Sequence, residues 1–339
     1  MKFGPVPLND ATGKILGHNI AGPDGRRALR KGKPLTPADI ELLAGLGRAT
    51  VYVAEMEAGD VREDEAARQI ATVVAGDHLR QSGAATGRLN LFAESLGLLR
   101  VDSARLRELN ALEGITLATL PHNLPVRPGK MVGTIKILPY AVPGRVLEEV
   151  AMLGQRGPLL WLTPLPAKNV ALILSGSPSA RERIEKGFYN ALQARLEQLG
   201  STISATRFIP LEDEQGELML AETIAATIGS VDMVVLAGET AIMDRYDIAP
   251  RAVERAGGRV TCFGAPVDPG NLLMLGYLGS KPVLGAPGCI RSPKDNIVDI
   301  VLPRLLAGDY LTKLDIIDLG HGGLLEDVPE RPAPRSRLQ

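Results

Sequence analysis

Residues 231–250, VDMVVLAGETAIMDRYDIAP, decide how the chain is read. The apolar run from Met233 to Ala237, β-branched at its centre, is predicted to be a fully buried strand of a parallel sheet. It stops at Gly238. A short polar loop follows, carrying Glu239, Thr240, Asp244, Arg245 and Asp247. Open α/β sheets hold ligands in loops just past the carboxyl ends of their strands. A loop with Gly, Thr and several carboxylates offers N–H groups to an anion and oxygens to a metal or hydroxyl. This loop is the first candidate for the working site.

Outward from it, the second half of the chain alternates strands and helices. Strands are predicted at 170–174, 202–209, 231–237 and 260–263, with a further short strand or turn entered at Lys281. Helices are predicted at 180–199, 218–228, 249–256 and 296–306. That rhythm argues for a parallel sheet with helices on both faces. The first half is more mixed. Strands are expected at 15–21, 50–53 and 133–140, and helices at 63–75 and 146–153. A further helix begins at Pro37, with Thr36 as N-cap, and stops at Gly47. Between the halves, residues 154–168 contain Pro158, Pro164 and Pro166 and read as a linker. The tail from Glu326, rich in Pro, Arg and Glu, reads as disordered.

At 339 residues the chain is longer than one core usually serves, so two domains are expected. A formal net charge of −1 gives no nucleic-acid footprint, which would need a basic face, and 4% aromatic residues argue against extensive base stacking. No stretch reaches the roughly 20 apolar residues of a membrane span, and the N-terminus lacks a signal-peptide core. Two cysteines, Cys262 and Cys289, make no disulfide framework, and a reducing cytoplasm is the simpler reading. The four histidines show no metal-ligand spacing, and neither a P-loop nor a GxGxxG after a strand is present.

Three further loops follow predicted strands. Ser175-Gly176-Ser177-Pro178-Ser179 leads into a helix N-terminus, which favours anions; a plain serine-capped turn is the alternative. Pro210-Leu211-Glu212-Asp213-Glu214 is a cation site or a solvated acidic turn. Gly285-Ala286-Pro287-Gly288-Cys289 is a rigid turn where backbone can approach a ligand, with Cys289 read as a small buried residue rather than a nucleophile. In the first half, the run TGRLNL at 86–91 places Arg88, a bidentate partner for phosphate or carboxylate, after a turn-forming Gly87. A surface ion pair is its alternative role.

With these loops in view, residues 168–311 resemble the molybdopterin-binding domain family of molybdenum-cofactor biosynthesis, which includes molybdopterin adenylyltransferases and molybdate insertases. The family's Gly-Gly loop with Ser or Thr, then Asp and a helix, is matched by Ala237-Gly238-Glu239-Thr240, Asp244 and Asp247-Ile248-Ala249-Pro250. Its Pro-Asp-Asp loop is matched by Pro210-Leu211-Glu212-Asp213, and its Leu-Pro-Gly-Asn-Pro turn by Ala286-Pro287-Gly288-Cys289. Asp268-Pro269-Gly270-Asn271 matches a Pro-Gly-Lys-Pro turn loosely. In place of Thr-Gly-Asp/Glu after the first strand stands Ser175-Gly176-Ser177, so an acidic residue is missing there. The TGRLNL, EDEAA and GTIKILPY stretches of the first half resemble the accessory domain of bacterial molybdopterin-binding proteins, some of which are fused to a cofactor nucleotidyltransferase.

The resemblance implies an α/β fold. A three-layer α/β/α domain with a mainly parallel sheet, 168–315, would follow a smaller mixed α+β domain, 1–153, and a linker, 154–167; the tail would span 316–339. It implies that Ser175, Gly176, Ser177, Gly238, Glu239, Thr240, Pro287 and Gly288 hold molybdopterin or the molybdenum cofactor, with Arg88 or Lys136 closing the site from the other domain or another subunit. In an active adenylyltransferase or insertase, Asp244 and Asp247 would be catalytic, and Glu212 and Asp213 would hold Mg²⁺ beside a nucleotide. The missing carboxylate makes pterin binding the better expectation than turnover. A regulatory or assembly module that has lost the ligand is the third reading. The resemblance also implies a cytoplasmic homo-oligomer, a dimer or trimer, with a cofactor nucleotidyltransferase or molybdenum enzyme as partner.

Overall fold

Strand Asn169–Gly176 (β1) alternates its side chains between two cores, and the second half is built around that alternation. Val170, Leu172 and Leu174 face one core, and Ala171 and Ile173 the other. All five are essentially inaccessible to solvent, which explains why the run reads as continuously apolar. The computed structural model of the protein describes residues 1–210 and 214–325.

The chain divides by packing into two units, 1–95 with 99–162, and 96–98 with Thr163 onward. In the second unit, β1 is followed by helix Arg181–Gln198 (α1), strand Thr202–Pro210 (β2), helix Glu214–Ile228 (α2) and strand Met233–Gly238 (β3). Helix Ile248–Arg255 (α3), strands Arg259–Phe263 (β4), Met274–Leu278 (β5) and Lys281–Gly285 (β6), and helix Ile297–Leu306 (α4) complete it. The sheet order is β2-β1-β3-β6-β5-β4. β2, β1, β3 and β6 run parallel; β5 is antiparallel to β6, and β4, antiparallel to β5, runs in the direction of the other four.

Helix α1 presents Ile184, Phe188, Leu192 and Leu196 as one stripe at four-residue spacing. The stripe packs, with Val298, Val301 and Leu302 of α4, on the β1 face carrying Leu172. Leu220, Ala221 and Ile224 of α2 and Ala252 and Val253 of α3 cover the opposite face. The result is a three-layer α/β/α domain.

The β5–β6 pair was not legible as two strands. Leu278 pairs with Lys281 across the two-residue turn Gly279-Ser280, and Gly279 takes φ +60°, which such a hairpin turn requires. Pro282 is tolerated in β6 because the ladder to β3 starts one residue later, at Val283. The chain stays packed well past 315, with Ile316 buried and Leu324 bridging to Asp268. The stretch from Glu326, expected to be disordered, lies outside the described residues.

The first unit is α+β. A sheet of Ile115–Thr119, Met131–Ile137, Arg88–Ala93 and Leu79–Gln81, antiparallel throughout, packs against helices Glu63–Val74 and Gly144–Gly154. Lys2–Pro7, Thr50–Glu55 and Ile15–Leu16 form a smaller sheet over a separate core. The strand expected at 15–21 is two strands, Ile15–Leu16 and Ile20–Ala21, in different sheets. Gly17 lies at the break, where an added Cβ would stand 2.8 Å from Phe3 Cε2. The proline-rich stretch 154–168 carries a strand, Leu160–Pro164, with Leu160 and Leu162 buried.

Candidate functional site: the crevice between β1 and β3

From β1 the chain moves through α1 to β2 on one side; from β3 it moves through α3 toward β4 on the other. The order therefore reverses between β1 and β3, and this is where an open α/β sheet leaves a crevice beyond its strand ends. A cavity of about 190 Å³ lies there, lined by the β1 turn at Ser175, Gly176 and Ser177 and the β3 loop from Gly238 to Ile242. Asp247 and Ala286 complete its polar rim and its floor.

Two glycines let the loops meet. A Cβ on Gly176, whose φ is +156°, would stand 2.8 Å from Glu239 Cβ and 2.7 Å from Ile184 Cδ1. One on Gly238 would stand 2.8 Å from Ser175 Oγ. Strand pairing continues into the loops, since the Glu239 N–H donates to the Ser175 carbonyl at 2.8 Å.

Glu239 occupies the anion-binding donors of the β1 turn. Its Oε2 accepts from the Ser177 backbone N–H and from the Ser177 hydroxyl, both at 2.8 Å. Its Oε1 accepts from an Arg183 Nη at 3.0 Å. The Ser177 N–H, then the Ser177 hydroxyl and the Arg183 charge, hold the carboxyl below the ordinary glutamate range. Thus the turn after β1 binds an anion, but the anion is a side chain of the protein. The carboxylate missing from the Ser-Gly-Ser turn is delivered to it from the β3 loop.

Of the residues expected at the site, the fold brings Ser175, Gly176, Ser177, Gly238, Glu239, Thr240 and Asp247 around one cavity. Pro287 and Gly288 begin the next turn after Ala286 without lining it, and Gly288 receives Arg291 Nε on its carbonyl. Asp244 accepts the Tyr246 N–H at 2.8 Å, closing a local turn. Asp247 caps α3, accepting the Ile248 N–H at 2.7 Å and, with its other oxygen, the Met243 N–H at 3.0 Å. Glu212 and Asp213 lie outside the described residues. Among the described residues no three His, Cys, Asp or Glu side chains come together as a metal set. Arg88 belongs to the first unit and lines a different cavity. Burial raises the Cys289 thiol above its ordinary range, the opposite of what an activated nucleophile needs.

Three residues escaped the sequence reading. Arg183 was not marked because its role depends on Glu239, 56 residues away. Tyr246 and Met243 stand 77% and 67% exposed on the loop flanking the cavity. Large exposed side chains beside a polar crevice are the detectable signal.

Residues 5–55 match a family model described as a domain of unknown function, DUF8806. No curated protein matches the sequence. Similar solved structures include a molybdopterin biosynthesis MoeA protein from Pyrococcus horikosii, 15% identical, with TM-score 0.31 over 91% of this chain and 75% of that one. A molybdenum cofactor biosynthesis protein from Pyrococcus furiosus is 14% identical, with TM-score 0.23 over 94% of this chain and 65% of that one. Molybdenum cofactor biosynthesis protein B is 17% identical, with TM-score 0.29 over 42% of this chain and 95% of that one. Scores this low fix neither fold nor activity; the fold rests on the strand order and packing above. Among the described residues no helix is long and apolar enough to cross a membrane.

Proposed function

We propose that the β1/β3 crevice binds the pterin of molybdopterin or of the molybdenum cofactor, and that the protein carries this ligand during cofactor maturation or handover. The observation that carries the reading is convergence. Two loops 62 residues apart, one resembling the family's Gly-Gly loop and the other standing where its Thr-Gly-Asp/Glu motif would, meet at the switch point around one cavity. Tyr246, 77% exposed, lies in the loop between the lining residues Ile242 and Asp247, and its ring is available for a flat ligand. Ser177 supplies a backbone and a hydroxyl donor, and Arg183 a cation, for a phosphate. A ligand phosphate reaches these donors by displacing the Glu239 carboxylate.

The test is anaerobic calorimetry of the full chain with molybdopterin, with and without Mg·ATP, with nucleotide turnover followed as product formation. Binding without ATP is expected, tightened in Glu239→Ala and weakened in Ser177→Asp, where a fixed negative charge repels the phosphate. Nucleotide consumption lost in Asp244→Ala would replace the carrier reading with the transferase one. One observation favours a second reading: the Ser177 donors are already satisfied within the chain, as in an assembly module that has lost its ligand. Failure of both the parent chain and Glu239→Ala to bind molybdopterin decides for that module.

A further inference from the structure

The first unit contains a second concave site, whose Arg88 and Lys136 belong to the TGRLNL and GTIKILPY stretches and whose lining carries an excess of positive charge. Its turn Arg30-Lys31-Gly32-Lys33 is pinned by backbone bonds: the Gly32 N–H donates to the Leu16 carbonyl at 2.8 Å, and the Lys31 N–H to Asn19 Oδ1 at 2.9 Å. Gly32 takes φ +85° where an added Cβ would meet the Tyr140 ring at 3.3 Å, so the turn packs on that ring with its cations projecting. Tyr140 is fixed in turn by donating its hydroxyl to the Gly17 carbonyl at 2.8 Å.

Across a cavity of about 860 Å³ lie Arg88 and Lys136. Arg88 follows a tight turn, Thr86-Gly87, both at positive φ, whose Gly87 N–H is held by Asp64 at 2.6 Å. Among the described residues, five cationic side chains line the cavity, against one carboxylate, Glu63. Lys33 is spent on the buried Asp39 at 2.8 Å, and Lys136 bonds the Thr86 carbonyl and lies 3.7 Å from Glu63. Among the described residues, Arg30, Lys31 and Arg88 make no ion pair within 4 Å; Arg88 donates to the Thr134 hydroxyl at 3.2 Å, and Lys31 acts with Lys136 on the one lining carboxylate, Glu63, so positive charge is in excess on the cavity. The remaining wall is aromatic. Phe3 and His18 line it and pack edge to face at 5.6 Å, with Tyr52 behind them at 6.0 and 5.4 Å. Phe3 is 47% exposed.

Cations in excess of carboxylates select a polyanion, and an exposed ring wall selects a flat heterocycle. A concave volume of this size is that of a small-molecule site (roughly 300–1,000 Å³), whereas nucleic acid is tracked by an extended basic stripe. We propose that this cavity binds a nucleoside polyphosphate, with its phosphates on Arg30, Lys31 and Arg88 and its base against the Phe3–His18 wall. This proposal does not rest on the pterin reading of the crevice.

The test titrates the full chain with ATP, GTP, CTP and UTP by calorimetry, with inorganic pyrophosphate and a single-stranded oligonucleotide as comparators. At least one triphosphate is expected to bind. Arg30→Ala/Lys31→Ala, both exposed, should weaken it about tenfold or more through loss of two charge-assisted contacts. Phe3→Leu should weaken it severalfold, whereas Arg48→Ala, outside the cavity, should leave it unchanged. The same double variant should bind molybdopterin as the parent chain does. Absence of binding by all four triphosphates, or binding indifferent to Arg30→Ala/Lys31→Ala, would overturn the proposal. So would pyrophosphate binding as tightly as any triphosphate, which leaves the ring wall unused, or an oligonucleotide binding more tightly than a mononucleotide.

Discussion

The β1/β3 crevice and the basic cavity of the first unit solve the same electrostatic problem in opposite ways. In the crevice, anion donors are converged and then satisfied from within by Glu239. In the basic cavity, Arg30, Lys31 and Arg88 are converged and, among the described residues, make no ion pair within 4 Å, with Glu63 the one carboxylate in the lining. Both are built by glycines that allow close backbone approach, Gly176 and Gly238 in one, Gly32 and Gly87 in the other. The difference teaches that preorganised donors alone do not mark an open site. What matters is whether the chain brings its own counter-charge.

The contrast can be broken hardest at Gly176. A methyl there collides with Glu239 and Ile184, so Gly176→Ala should destabilise the second unit by about 1–3 kcal/mol through overpacking. A lowered urea midpoint checks this, and an unchanged midpoint would show that the two loops are not tightly apposed. Next in size is Glu239→Ala. Freeing the Ser177 donors should raise inorganic phosphate affinity in the crevice roughly fivefold, in line with one charge-assisted hydrogen bond no longer being competed for. Phosphate titration followed by the Ser177 amide resonance reads it. No gain would mean that Glu239 is not the obstacle.

The smallest effect, and the one that sharpens the comparison most, is in pH. Glu239 is held below its ordinary value by the Ser177 N–H, so its contribution to stability is present above about pH 4.5 and is lost as pH falls through its lowered value. Glu63 behaves oppositely: burial raises its carboxyl, against the pull of Lys136. Its contribution is therefore full below the ordinary glutamate value and is lost as pH rises through the raised one. Difference curves of stability against pH for Glu239→Gln and Glu63→Gln should have opposite slopes. Slopes of the same sign would refute the assignment of one of the two environments.

Much of the second unit was legible, because buried parallel strands and amphipathic helices write their geometry in local order. Val170 to Leu174 and Met233 to Ala237 are apolar on both faces, and the Ile184–Leu196 stripe repeats every four residues. The β5–β6 hairpin was less legible, since its turn is only Gly279-Ser280 and Pro282 argues against a strand until its missing ladder partner is known. In the first unit, the short antiparallel strands carry little period of their own, and the break at Gly17 depends on the Phe3 ring. At the crevice the loops were legible as loops, but their interaction was not: no local pattern says that Glu239 reaches Ser177 or that Asp247 spends both oxygens on backbone N–H groups.

The sequence by itself determined the alternation of strands and helices, the glycine-marked turns and the residues able to bind an anion, because these follow from side-chain period, backbone freedom and functional-group chemistry. Only the tertiary structure decided which charges neutralise each other. Glu239 meets Ser177 and Arg183 across about 60 residues, while Arg30, Lys31 and Arg88 line one cavity in which Glu63 is the one carboxylate among the described residues. Electrostatic interaction depends on distance through space, and that distance is not encoded in the spacing of residues along a chain.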